Sequence, residues 1–311
     1  EREGECTVGC AGGVDIVLTK EVHYDSEVRG VFYEVVIDGL RGGHSGIDVH
    51  KELGNANLLL AEVLASYAHS SALRLASFNG GTLRNAIPRS AKAIVSIHDA
   101  HKADFEAHLL AAGENLQARL KKADDNVALH FKVVTPMATQ DAESSLQCLN
   151  LLLLLPSGVI RQSVELPIVE TSCNLGVVEV SEQRGFCAEL LARSVTDRGL
   201  DIVRTRAKAL AIMTGAFMEE GNSYPAWQPN LASLPLQKLL EVHQEVTGKE
   251  MNITVLHAGL ETGLLGEKYP HLEMVSFGPT IKGAHSPDER VNIPSVERFY
   301  ALLKLLLKKL K

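Results

Sequence analysis

Apolar residues recur along the chain with two different spacings, one typical of helices and one typical of strands. Between residues 53 and 67 they recur every three or four positions, which predicts an amphipathic helix, whereas residues 31–37 are β-branched and aromatic, which favours a strand. The same criteria predict strands over residues 31–37, 73–78, 91–98, 128–134, 172–180, 189–195, near 217, 253–256 and 274–278. Helices are predicted over residues 53–67, 104–121, 141–155, 200–214, 236–247 and 295–310.

The order of these elements predicts an α/β protein with an inserted α+β domain. The first six elements follow the order β-α-β-β-α-β, which is that of a ferredoxin-like layer with helices on one face of a sheet. Residues 141–217 resemble a partial second copy, so we expect a doubled layer. Pro225, Pro229 and Pro235 mark a boundary within residues 222–235. We therefore expect residues 27–222 to form the inserted domain and residues 1–26 and 223–311 to form the other.

Composition and charge narrow the class of protein. The chain has 311 residues, of which 45% are hydrophobic and 22% charged, as in globular proteins. Its net charge of −7, with no basic stripe, argues against a nucleic-acid partner. The longest apolar run, which ends at Leu155, is too short to span a membrane. Five scattered cysteines and a first segment without a signal-peptide pattern favour a cytoplasmic protein.

A glycine-rich loop directly after the first predicted strand is the first candidate for chemistry. In Gly42-Gly-His-Ser-Gly46 the glycines let the backbone turn sharply and present His44 to a cleft. A serine-hydrolase elbow needs a glycine two positions after its serine, and Ile47 stands there instead. The motif is therefore either a functional histidine loop or a turn with a surface histidine.

Other polar residues stand where predicted strands end. Asn85 lies between two strands, where its amide can donate to a carbonyl or carboxylate oxygen. Arg193 lies in an apolar strand and must find a partner or an exposed strand end. His285 and the stretch from His257 to Glu261 follow strands, and ligands usually bind at that end of an α/β sheet. One histidine does not make a catalytic zinc site, which needs about three protein ligands.

Six motifs, taken together and in this order, resemble one known family. They are Gly9-Cys-Ala-Gly-Gly13, Gly42-Gly-His-Ser-Gly46, the stretch from Phe78 to Pro88, Pro225-Ala-Trp-Gln-Pro229, His257-Ala-Gly-Leu-Glu261, and Gly278-Pro-Thr with His285-Ser-Pro-Asp-Glu289. The chain resembles the dinuclear-zinc metallopeptidases, which include carnosinases and aminoacylases, and within them the dipeptidases. The resemblance covers essentially the whole chain.

The resemblance implies a catalytic α/β domain interrupted by a lid domain that also serves dimerisation. In that family two zinc ions, which cobalt or manganese can replace, are held by several carboxylates and histidines. Of these ligands only the late histidine has a counterpart here, His285. The other ligands would lie before Glu1, so residues 1–26 and 223–311 would form part of a catalytic domain and this chain alone would be inactive.

The same resemblance implies roles for five further residues. His44 resembles the lid histidine that donates to the oxyanion, and Asn85 and Arg193 resemble lid groups that grip the substrate carbonyl or carboxylate. Gly259 and Glu261 correspond to a loop that faces the substrate.

The expected function is hydrolysis of small unblocked dipeptides of the Xaa-His type by a homodimer, as part of a metallodipeptidase. Two alternatives stay open: an inactive short form that serves as an assembly or ligand-binding module, and an amidohydrolase of N-acyl amino acids.

Overall fold

The computed structural model describes residues 2–26, 29–164, 166–282 and 289–311, and the chain divides into two compact units. The large unit comprises Val14–Arg193 and Arg198–Ser223, and the small unit comprises Glu1–Gly13, Ser194–Asp197 and Tyr224–Lys311.

The strands of the described residues, in chain order, are β1 (Glu5–Cys10), β2 (Gly12–Lys20), β3 (Tyr24–Asp25), β4 (Val31–Asp38), β5 (Gly43–His44), β6 (Leu73–Gly80), β7 (Ala86–Ile87), β8 (Ala91–Ile97), β9 (Ala128–Val133), β10 (Thr139–Gln140), β11 (Gly158–Gln162), β12 (Val169–Ser181), β13 (Gly185–Ser194), β14 (Phe217–Tyr224), β15 (Asn252–Leu256), β16 (Ile281–Lys282) and β17 (Arg290–Val291). The α-helices are α1 (Ala56–Ala68), α2 (Lys102–Leu120), α3 (Ala142–Leu154), α4 (Asp197–Thr214), α5 (Leu234–Thr247), α6 (Glu261–Lys268) and α7 (Ile293–Lys309). Two short 3-10 helices cover Val49–Lys51 and Asp99–His101.

A nine-stranded sheet forms the large unit, and its strand order confirms the ferredoxin-like layer. The strands follow the order β14-β2-β13-β12-β6-β8-β4-β9, with β11 paired to β12. Within the half β6-β8-β4-β9, strand β8 is antiparallel to both β4 and β6, and β9 is antiparallel to β4. With α1 between β4 and β6 and α2 between β8 and β9, this is the predicted β-α-β-β-α-β topology.

The other half of the sheet confirms the doubled layer. If β2, β12, β13 and β14 are counted as strands one to four of a second copy, their order β14-β2-β13-β12 repeats that of the first half, β9-β4-β8-β6. Helix α3 precedes β12 and α4 precedes β14, as α1 and α2 do in the first copy. Strand β12 pairs antiparallel with β6 and joins the two copies. The first copy is thus inserted between the first strand and the first helix of the second.

Apolar side chains between the helices and the sheet form the core of the large unit. Tyr33, Tyr67 and Phe105 meet there with ring centroids 5.3 and 4.8 Å from Phe105, and such pairs contribute about 0.5–1.5 kcal/mol beyond their buried area. Asn55 begins α1 by accepting the N–H groups of Asn57 and Leu58. The core therefore fixes α1, and the loops on either side of it, against the sheet.

A two-stranded parallel sheet, β1 with β15, lies at the centre of the small unit. Cys6 and Val8 of β1 pack with apolar residues of α5 and of α7, which include Leu236, Leu302 and Leu306. The closing helix therefore docks on its own unit. Among the described residues, no helix is long and apolar enough to cross a membrane.

Two glycine-containing motifs of the small unit fit against each other. Cys10 and Trp227 exchange both backbone hydrogen bonds at 2.9 Å. A Cβ on Gly9 would lie 2.8 Å from the carbonyl oxygen of Trp227, and one on Gly12 would lie 2.6 Å from the amide nitrogen of Ala226. Glycine at these positions lets the two backbones approach closely.

Helix α6 and several short strands were not predicted, and the structure differs from the sequence predictions in three further respects. Strands β1 and β2 were not predicted. Because β2 pairs inside the large sheet, residues 14–25 lie in the large unit, whereas the sequence placed residues 1–26 in the other domain. Residues 194–197 lie in the small unit. The strand predicted over residues 274–278 is wrong: in the described structure this stretch pairs only through one antiparallel bridge, between Ser276 and Thr7.

Candidate functional site

His44 lies in β5, at the start of a short loop of the large unit. Hydrogen bonds between neighbouring residues of this loop hold it in a tight turn. The His44 N–H donates to Oδ2 of Asp48 at 2.8 Å, and the Asp48 N–H donates back to the His44 carbonyl at 2.9 Å. Nδ1 of His44 accepts the N–H groups of Gly46 and Ile47, both at 3.1 Å. The loop therefore fixes both the backbone and the ring of the histidine.

The hydrogen bonds of the His44 ring determine its protonation. Since Nδ1 accepts two N–H groups, the proton of the neutral ring is assigned to Nε2, which can then donate. Burial of the ring, followed by the positive charge of Arg193, holds the pKa of His44 below its usual range, and the Asp48 carboxylate opposes them. At neutral pH the imidazole is thus a neutral Nε2–H donor.

Asp48 holds this loop from its other end. Its Oδ1 accepts from the Lys51 ammonium at 2.7 Å. Although burial disfavours the carboxylate, the Lys51 ammonium and the His44 N–H hold the pKa of Asp48 below its usual range. The loop therefore carries a carboxylate that stays ionised at neutral pH.

Asn85 lies directly beside the histidine loop. Strand β7 pairs antiparallel with β5, with Ala86 opposite His44. The Ser45 N–H donates to the Asn85 carbonyl at 2.9 Å. The Asn85 side chain is exposed. The structure thus brings together two of the predicted site residues, which stand far apart in the sequence.

The backbone around Asn85 is held from the second copy of the layer. Nδ2 of Asn174 donates to the carbonyls of Arg84 and Ala86 at 2.9 and 2.8 Å. Gly176 of the same strand lies so close that a Cβ on it would be 2.4 Å from Cα of Arg84. The Arg84 side chain pairs with Asp15 of β2 at 2.7 Å.

Arg193, the third predicted residue of the large unit, lies near the end of β13 and is only 5% exposed. The prediction for an arginine in an apolar strand allowed either a partner or an exposed strand end, and its burial excludes the second. Its charge acts on the His44 ring. The neutral imidazole N–H, the exposed amide and the guanidinium are all hydrogen-bond donors, which together suit a ligand rich in carbonyl and carboxylate oxygens.

The remaining predicted residues lie elsewhere. Gly259 and Glu261 belong to the small unit, where Gly259 packs against the Tyr224 ring and Glu261 is exposed at the first turn of α6. His285 lies outside the described residues.

The described residues do not fit a metal site. Among them, no group of three or more His, Cys, Asp or Glu side chains lies close enough together to hold a metal ion.

Two residues of the site were missed by sequence reasoning. Asp48 stands a few positions after His44, and a carboxylate following a glycine-rich loop is a signal that would have indicated it. Asn174 contacts Arg84 and Ala86, which lie 90 and 88 positions earlier in the chain. No local pattern in the sequence marks Asn174.

Comparison with known proteins supports the expected resemblance. Residues 33–124, which cover most of the first copy of the layer, match the model of the Peptidase dimerisation domain. Over its whole length the chain is 42% identical to the cytosol non-specific dipeptidase of Escherichia coli K12, and it spans 64% of that protein.

A solved structure agrees with this comparison. The crystal structure of aminoacylhistidine dipeptidase from Vibrio alginolyticus superposes with a TM-score of 0.94 and 37% identity, covering 99% of this chain and 64% of that one. Both relatives are dipeptidases, and the chain spans less than two thirds of the length of each. The motif-based resemblance to dipeptidases is thereby confirmed.

Proposed function

We propose that this chain is the lid, dimerisation and substrate-recognition part of a metal-dependent dipeptidase that acts on small unblocked dipeptides of the Xaa-His type. The observation that carries the proposal is the His44 loop, which pairs beside Asn85 and whose neutral ring feels the charge of Arg193 and has its Nε2–H available to donate. The dipeptidases that the chain resembles over its whole length supply the substrate class.

Each of the three residues has a distinct task in this proposal. The Nε2–H of His44 donates to the peptide carbonyl oxygen as negative charge develops on it, and loss of one such donor costs about 3–4 kcal/mol of transition-state stabilisation. Asn85 donates its amide to a substrate carbonyl, and Arg193 pairs with the terminal carboxylate. We propose that Gly259 and Glu261 of the small unit also contact the substrate.

The metal of the reaction is not assigned to any described residue. On the resemblance we propose zinc, which cobalt or manganese can replace, with His285 as the one ligand that this chain contributes. The metal would supply activated water when bound.

We also propose that the protein is a cytoplasmic homodimer. The match of residues 33–124 to the Peptidase dimerisation domain and the cytosolic relative from Escherichia coli support this.

A chimera tests the function. The chain replaces the matching 64% of the Escherichia coli relative, and hydrolysis of His-containing dipeptides is measured with a divalent metal present. In this chimera His44→Ala should lower kcat by about 10²–10³ with unchanged metal content, since one oxyanion donor is lost. His130→Ala, which changes an exposed histidine of β9, is the control and should retain activity.

Two results would contradict the proposal. One is a folded, metal-loaded chimera that cleaves no dipeptide, which would favour a ligand-binding module. The other is preferential cleavage of N-acyl amino acids, which would move the substrate to the amidohydrolase class.

A further inference from the structure

We propose that Asn174 is a positioning residue that fixes the side chain of Asn85 in the substrate-recognition site. The inference rests on the proposed function for the task of Asn85, whereas the geometry it describes is independent of that task. Asn174 lies in β12, in the second copy of the layer, and is 4% exposed.

Three consecutive carbonyls around Asn85 are held by two different partners. Asn174 donates its two amide N–H groups to the carbonyls of Arg84 and Ala86, at 2.9 and 2.8 Å. The carbonyl between them, that of Asn85, accepts the Ser45 N–H at 2.9 Å. The backbone at Asn85 is thus clamped between β12 and the histidine loop, and the exposed Asn85 side chain is the group that projects from the clamp.

An amide at position 174 suits this task better than any isosteric side chain. Both partners are carbonyl oxygens, so the residue must offer two N–H donors on one atom, and Asn supplies them at the correct length. A carboxylate of the same size would place charge against two acceptors, and a hydroxyl can donate only once. Asn174 therefore does more than fill the space beneath the loop.

A buried valine of the same strand provides a matched control. Val180 of β12 is fully buried and lies opposite Phe78 of β6. Val180→Thr introduces the same side chain as Asn174→Thr into β12, at a position that is paired with β6 and not with residues 84–86.

Amide hydrogen exchange on the 311-residue chain tests the clamp without reference to activity. In Asn174→Thr, whose β-branched side chain suits a strand, exchange of residues 43–48 and 82–88 should accelerate about 10-fold or more, while β6 and β8 keep their protection. Val180→Thr should leave residues 43–48 and 82–88 protected. Unchanged exchange at Ser45, or an equal loss over the whole sheet, would overturn the proposal.

A double-mutant cycle in the chimera tests whether Asn174 acts through Asn85. Asn174→Thr should lower kcat about 10-fold, because a misplaced contact group loses transition-state binding, and Val180→Thr should leave kcat unchanged. In an Asn85→Ala background Asn174→Thr should have a much smaller effect on kcat, since the side chain that it positions is gone. Additive effects of the two substitutions would overturn the positioning role.

The two experiments separate the two proposals. An inactive chimera whose chain shows the localised change in exchange would contradict the proposed function and support the clamp. An active chimera without that change would contradict the clamp alone.

Discussion

The protonation of His44 follows from the backbone that surrounds its ring. Two N–H groups point at Nδ1, so a proton cannot be added there without breaking both hydrogen bonds. Burial and the charge of Arg193 act in the same direction, against the Asp48 carboxylate. The resulting low pKa couples the folding of this loop to pH.

His44 should make the protein less stable in mild acid. Above pH ~6.5 its ring is neutral in the folded and the unfolded chain, so it does not change the free energy of unfolding. As the pH falls below ~6.5 the unfolded chain binds the proton first, and stability declines until the pH passes the lower pKa of the folded state.

Thermal unfolding at pH 7.5 and 5.5 measures this effect. In His44→Asn the side-chain oxygen can replace Nδ1 as acceptor but does not titrate, so its Tm should fall less than that of the natural sequence. The direction of the difference, a larger fall for the natural sequence than for His44→Asn, is the expected result. Equal falls in Tm would contradict the assignment.

The charges around His44 can be tested one by one by NMR titration of its ring. Arg193→Gln removes a positive charge and should raise the pKa of His44, whereas Arg193→Lys keeps the charge and should leave it low. Asp48→Asn removes the opposing carboxylate and should lower it further. A pKa that is the same in Arg193→Gln and Arg193→Lys would show that the charge of Arg193 does not act on the ring.

Part of the site could be predicted from residues alone. His44 stands between glycines, Asn85 between two strands and Arg193 in an apolar run, and each pattern is local. The pairing of the His44 loop beside Asn85, and the part that Asn174 plays, depend on contacts between strands that are distant in the sequence, which local patterns do not encode.

Among the elements, the turn between β6 and β7 depends on a glycine for two reasons. Gly81 has a φ of +73°, and a Cβ on it would lie 1.8 Å from the Gly176 carbonyl oxygen. Gly158 has a similar φ of +83° with nothing within 4 Å of a Cβ. Comparing alanine substitutions at Gly158 and Gly81 therefore distinguishes the cost of backbone strain from that of steric overlap.

Gly158→Ala should lower the free energy of unfolding by about 1–2 kcal/mol, the cost of a left-handed residue. Gly81→Ala should lower it by about 1–3 kcal/mol more, since β12 must also move. Denaturant unfolding of the two variants measures both. Equal losses of unfolding free energy in the two variants would mean that β12 can move away from the turn at Gly81 without cost.

Most elements follow from periodicity, and the exceptions have physical causes. Strand β1 and the start of β2 contain glycines at close backbone contacts, which weaken the apolar pattern that marks a strand. The stretch 274–278 has the apolar pattern of a strand but pairs at a single bridge.

For the whole molecule, the division into units predicts which part folds alone. Residues 14–223 contain nearly all of the nine-stranded sheet and its core. Expressed as a fragment they should unfold cooperatively, with a Tm within a few degrees of the large unit in the full chain. Calorimetry checks this, and a fragment without a cooperative transition would show that the division is wrong.

The insertion of one copy of the layer into the other has a consequence for how the chain folds. The first copy pairs strands that lie within residues 31–133, whereas β2 must wait for β13 and β14, which end at residues 194 and 224. Pairings between strands that are distant in the sequence form slowly, because the entropy of closing the long loop between them is lost before the stabilising contacts form. We therefore expect the inner copy to form first and to offer the edge of β6 to β12, and β2 and β14 to join the sheet last.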